Sequence, residues 1–145
     1  MITQDYAKHL IMGVIENIDL PELGLFNIAA RIDTGAQTSA LHVDHISTNK
    51  PNGEVSFEFH PDVHNVERVI KCQAKLQDTR WVRSSNGERE RRYVIRTQAC
   101  MGPKSWEIEL TLTDRSTMSH LMLLGREAMQ IGVLVDPENT FLLSK

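Results

Sequence analysis

The sequence predicts an all-β fold built from many short strands. Three observations predict it. Apolar and polar residues alternate with period two over several runs of four to eight residues. Turn residues, among them an Asn-Gly pair, punctuate those runs at close spacing. Hardly any segment carries the three-to-four-residue periodicity of a helix. Together these point to a barrel or sandwich.

Taken in order, Gly13 to Asp19 alternates and stops before Pro21, and Phe26 to Ile32 is a second candidate strand. Glu54 to His60 places Val55, Phe57 and Phe59 on one face. Val66 to Leu76 is a longer candidate. Trp81 to Arg83 and Tyr93 to Thr97 flank Asn86-Gly87, the strongest short hairpin signal. Trp106 to Thr113 alternates cleanly, and Leu121 to Leu124 is fully apolar, as a buried strand would be. Arg126 to Gln130 suits one or two helical turns. Val133 to Val135 and Phe141 to Leu143 close the chain around the turn sequence Asp136-Pro137-Glu138-Asn139.

A chain of 145 residues suits one domain, expected over residues 1–145. The apolar runs are far too short for a membrane helix, and the N-terminus lacks the basic start of a signal peptide. Two cysteines, Cys72 and Cys100, make no disulfide framework, so a reducing cytoplasm is expected. Net charge is −3, unevenly spread: residues 68–96 hold nine Lys or Arg against three acids, and the remainder carries −9. Such a basic segment attracts anions locally. Nucleic acid is not expected, because the chain is acidic overall and carries no nucleic-acid-binding signature.

The chemistry-bearing motif is Asp33-Thr34-Gly35-Ala36, at the end of an apolar strand. A carboxylate held by backbone N–H groups beside a second carboxylate shares one proton with it, because two like charges at that distance do not both ionise. One member then acts as base on a water, the other as acid toward an amide carbonyl. Asp33 suits such a role. Gly35 lets the backbone approach the carboxylate, Thr34 offers a hydroxyl for bonding across a symmetry axis, and Ala36 keeps the loop slim. The apolar run Leu123-Leu124-Gly125-Arg126 follows late in the chain.

In that order, the Asp-Thr-Gly-Ala loop, the Asn86-Gly87 hairpin and the Leu-Leu-Gly-Arg run resemble the retropepsins. Gln37 stands where viral retropepsins often have an acid. A closer resemblance runs through Ile32 to His42, Val82 to Ile95, Trp106 to Arg115, Met122 to Met129 and Val135-Asp136-Pro137. It is to the RimB-like retropepsins, a bacterial group also labelled ATP-dependent zinc proteases and found with RimK-type glutamate ligases. The resemblance implies a closed acid-protease barrel with a flap hairpin and a short helix near residues 126–131. It implies a homodimer with one Asp33 per chain, catalytic residues Asp33, Thr34 and Gly35, and substrate contacts at Ala36, Arg83, Gly87 and Arg92. The implied substrate is poly-α-glutamate or a glutamylated protein tail, with a functional link to a RimK-like ligase.

Neither ATP nor zinc is expected from the residues. There is no phosphate loop ending in Lys-Ser or Lys-Thr, and no His-Glu-x-x-His. The pairs His42/His45 and His60/His64 are scattered without a tight Cys/His quartet, so no cofactor and no metal are expected. Two other functions compete: a binding module for acidic peptides, and a metal-dependent hydrolase using His42, His45, His60 or His64.

A two-residue Asn86-Gly87 turn would set Ser85 opposite Glu88, Arg83 opposite Glu90 and Trp81 opposite Arg92. Charge alone favours an inward face with Arg80, Arg89 and Arg91; the family pattern favours Arg83 and Arg92. Either face would hold carboxylates through paired guanidinium N–H groups.

Overall fold

Alternation becomes pleat. In Glu54–Phe59 every second side chain is buried, with Val55, Phe57 and Phe59 inside, as the pattern predicts. The computed structural model describes residues 6–49, 51–62, 65, 67–83, 86–114 and 120–143. The early strands are β1 (Leu10–Met12), β2 (Ile15–Leu20), β3 (Leu25–Ile32), β4 (Ala40–His42), β5 (Asp44–Asn49) and β6 (Glu54–Phe59). The later ones are β7 (Ile70–Lys75), β8 (Asp78–Arg83), β9 (Arg89–Met101), β10 (Lys104–Thr113), β11 (Met122–Leu124) and β12 (Val133–Val135). A 3₁₀ turn covers Pro21–Leu23, and the expected short helix is a 3₁₀ helix at Arg126–Met129.

The strands run in the order β10-β4-β11-β3-β2-β9, and β9 pairs back onto β10. The sheet therefore closes into a six-stranded barrel, with β8 attached outside the ring to β9. A separate three-stranded sheet, β5-β6-β7, lays Val55, Phe57, Phe59 and Cys72 onto the same core as Ile18, Ile95, Leu110 and Met122. Burial pushes the Cys72 thiol up to about 11, so it packs as a neutral apolar group.

Two departures from the sequence reading have clear causes. Phe141 to Leu143 is not a strand. Phe141 is left-handed (φ 53), and the amides of Leu142 and Leu143 donate to the carboxylate of Glu16 at 2.8 and 3.1 Å instead of to a ladder. The β8–β9 hairpin is also out of the expected register by one residue. Arg83 pairs with Arg89, Val82 with Glu90, Trp81 with Arg91 and Arg80 with Arg92. The described pairing ends at Arg83 and Arg89, which does not fit a two-residue turn at Asn86-Gly87; Gly87 has φ 85, and Ser84 and Ser85 lie outside the described residues. One residue of slip moves every side chain of a strand to the opposite face.

Candidate active site

β3 delivers Asp33 to the end of the barrel. The reason lies in β11, which inserts between β3 and β4 and runs parallel to β3, with Leu124 beside Ile32. Asp33 N donates to the Leu124 carbonyl at 2.9 Å, which locks the loop to the late apolar run. Asp33 Oδ1 accepts from Gly35 N at 3.0 Å. Among the described residues no protein group bonds its other oxygen. The side chain is half-buried while Thr34 and Gly35 are exposed. A Cβ at Gly35 would stand 3.2 Å from Asp33 Oδ1, so the carboxylate would have to shift by a few tenths of an ångström to admit it.

The loop is then fastened from below. Ala36 N closes a turn onto the Asp33 carbonyl at 3.2 Å, and the Ala36 carbonyl accepts from Arg126 N at 2.8 Å. Arg126 Nη1 donates to the Thr34 carbonyl at 2.9 Å. Gln37, at the position where an acid would pair with that arginine, instead donates from Nε2 to Glu127 at 2.9 Å. Ser39 is buried between the two segments: its Oγ accepts from Gly125 N at 3.0 Å, and its carbonyl accepts from the Thr111 hydroxyl at 2.7 Å. The sequence reading missed Ser39 and Glu127, because their partners are 86 and 90 residues away. The Arg126–Met129 helix is held in turn by the Trp106 indole, which donates to the Ala128 carbonyl at 3.0 Å.

Gly125 sits against this loop with no room to spare. A Cβ would stand 2.6 Å from the Thr38 carbonyl carbon and 2.9 Å from the Gln37 oxygen, all backbone. Gly125→Ala is expected to lower unfolding free energy by about 2 kcal/mol, because main chain must move to admit it. Urea denaturation checks this; a loss under ~0.5 kcal/mol would mean the loop gives way freely.

A model of the family described as "RimB-like: Retropepsin-like aspartic endopeptidase RimB" matches residues 11–145. The chain belongs to the RimB-like family. Its relatives include a protein of Shewanella pealeana, 46% identical over 137 residues and named "Probable alpha-L-glutamate ligase". The alignment covers 93% of this chain and 30% of that protein. A Desulfotalea psychrophila protein of the same name is 45% identical over 138 residues, again over 94% of this chain and 30% of its own. This RimB-like chain thus spans under a third of the length of those curated relatives. Among solved structures, a Legionella pneumophila protein of unknown function superposes with a TM-score of 0.73. It is 25% identical, over 92% of this chain and 98% of that one. No helix among the described residues is long and apolar enough to cross a membrane.

The shifted register regroups the arginines of this RimB-like hairpin. Trp81, Arg83, Arg89 and Arg91 now share one face, and Arg80, Val82, Glu90 and Arg92 the other. Neither expected grouping of arginines survives. The first face is open: Trp81 is 58% exposed, and the Arg89 guanidinium lies 5.2 Å from its ring centre. Arg91 reaches Thr79 Oγ1 at 3.0 Å. On the second face Arg92 is largely buried, bound to Glu90 at 2.8 Å, and Arg80 pairs with Glu109 at 2.9 Å. A cleft of about 530 Å³ opens beneath, between Arg80, Trp106, Glu109, Ser39 and Glu127; Asp33 is not among its lining residues.

Proposed function

We propose that this protein is an aspartic peptidase acting on acidic peptides of the poly-α-glutamate type. A water would be activated between two Asp33 carboxylates, one from each chain of a homodimer. The observation that carries this reading is the state of Asp33: one oxygen held by Gly35, the other open, on a loop clamped by Leu124 and Arg126. A lone carboxylate is half of a proton-sharing pair, and the chain contains a single Asp-Thr-Gly. Thr34, exposed beside it, would bond its counterpart across the two-fold axis.

The acidic substrate is supported by the open hairpin face. Arg83, Arg89 and Arg91 share the exposed face of Trp81, with the Arg89 guanidinium over its ring and Gly87 near the tip. Ala36 would line the floor beside Asp33. Arg92, engaged with Glu90, would shape the hairpin rather than meet substrate. The relatives' printed name adds support: a module joined to a glutamate ligase would stand next to a glutamate polymer.

Hydrolysis of poly-α-glutamate, followed by release of new amino termini, tests the reading. The Arg83→Ala/Arg89→Ala/Arg91→Ala variant is expected to raise KM about tenfold and to flatten the salt dependence of KM. Its kcat should be little changed. An unaltered KM would remove this face from substrate recognition. Tight binding with no hydrolysis from acid to neutral pH would leave a binding module in place of a peptidase.

A further inference from the structure

Away from Asp33, the β5–β6 pair brings together groups that the proposed chemistry does not use. Asp44 and Glu58 are direct cross-strand partners. Two like charges in that relation destabilise a sheet unless something stands between them. A register shift after Asp44 swings His45 out of the ladder, with its backbone left-handed at φ 50. Its ring then lies over both acids: Nδ1 is 3.2 Å from Asp44 Oδ1 and 3.3 Å from Glu58 Oε1.

His45 Nδ1 is hydrogen-bonded to Asp44 and shared with Glu58, at distances longer than the about 2.7–2.9 Å of charge-assisted N–H···O bonds. Ligand bonds of about 2.0–2.1 Å at the tetrahedral angle, by contrast, put donor atoms about 3.3 Å apart. The three candidate donor atoms all lie within 4.8 Å of one another. A second observation comes from His60. Both its ring nitrogens are shut off from solvent without a properly aligned hydrogen bond, yet Nε2 stands 2.9 Å from the outer oxygen of Asp44. A histidine holding the far oxygen of a carboxylate is the arrangement that orients a metal ligand.

We propose that Asp44, His45 and Glu58 bind one divalent transition-metal ion of the zinc type, with His60 positioning the Asp44 carboxylate. One imidazole nitrogen with two carboxylate oxygens suits zinc better than the all-oxygen sets of magnesium or calcium. His45 is 73% exposed, so water completes the coordination. The ion would replace repulsion across β5–β6 with a clamp. No step at Asp33 passes through it. The sequence reading expected no metal because no Cys/His quartet is present. The donors are instead a neighbouring Asp-His pair and a carboxylate on the next strand.

The test uses the full chain, stripped with chelator and titrated with Zn²⁺ by calorimetry and with Co²⁺ by visible absorption. One ion per chain at micromolar Kd, with an intense tetrahedral Co²⁺ band, is expected. His45→Gly keeps the left-handed backbone without the imidazole, and Glu58→Gln keeps the shape without the charge. Each should weaken binding at least tenfold, with unchanged far-ultraviolet dichroism. His60→Ala should weaken it about tenfold at the same stoichiometry, while His42→Ala should bind as the native chain does. No uptake at 100-fold excess, or uptake undiminished in His45→Gly and Glu58→Gln, would overturn the site. So would loss of binding in His42→Ala alone.

Discussion

Asp33→Asn is expected to lower kcat on poly-α-glutamate by at least ~10³-fold while leaving the fold intact. The amide oxygen can still accept from Gly35 N, the bond seen at 3.0 Å, so the loop keeps its local geometry. What is lost is the shared proton: a pair of amides neither takes a proton from water nor gives one to the carbonyl, and that acid–base work is worth about 10²–10⁴-fold. Mixed dimers of native and Asp33→Asn chains give a sharper readout. If each site uses one Asp33 from each chain, hetero-dimers are as inactive as the variant homodimer. Activity proportional to the native fraction would sink the two-chain dyad, and full activity of the homodimeric variant would sink Asp33 itself.

The largest expected effect on stability lies elsewhere, at Glu16. This carboxylate is fully buried on β2. It has no cationic partner among the hydrogen bonds described; it accepts from three backbone amides instead. Gly13 N donates at 2.7 Å, Leu142 N at 2.8 Å and Leu143 N at 3.1 Å. The same acid thus ties the start of the barrel to a segment more than 120 residues later. Glu16→Ala leaves those donors unsatisfied, at about 1–3 kcal/mol for each one kept from water. Partial hydration of the outer two brings the expected loss to about 4 kcal/mol, or a Tm lower by about 10 °C. Hydrogen exchange at Leu142 and Leu143 should accelerate through local opening, while β3 amides lose protection only as far as the global stability falls. Glu16→Gln, which retains one carbonyl acceptor, should lose less. A Glu16→Ala loss under ~1 kcal/mol would mean that the segment is held by apolar packing instead.

The same contrast shows what could be read from residues alone. The run Glu16-Asn17-Ile18-Asp19 alternates, so its strand is visible. That its acid faces inward is not, because the donors that satisfy it come from Gly13 and from a distant, irregular segment. β1, β4 and β5 escaped the reading for a related reason. β1 and β4 are three residues long, too short for periodicity to register, and each is extended because a partner lies beside it: β12 for β1, and β10 with β11 for β4. β5 is interrupted by its own register shift. Asp33-Thr34-Gly35-Ala36 and Leu123-Leu124-Gly125-Arg126 were legible as motifs, since each carries its chemistry in adjacent residues.

Residue order alone is enough for the all-β class, the inward faces of β6 and β10, and the identity of the loop that presents Asp33. Those are local matters: side-chain alternation and a four-residue motif suffice. How the barrel closes, with β11 threaded between β3 and β4, emerges only in the assembled fold, and so does the register of the β8–β9 hairpin. Register depends on the length and conformation of the connection, and a slip of one residue exchanged the partners of every arginine there. The meeting of Asp44, His45 and Glu58 belongs with these, since cross-strand pairing is a property of two segments together and neither segment states it alone.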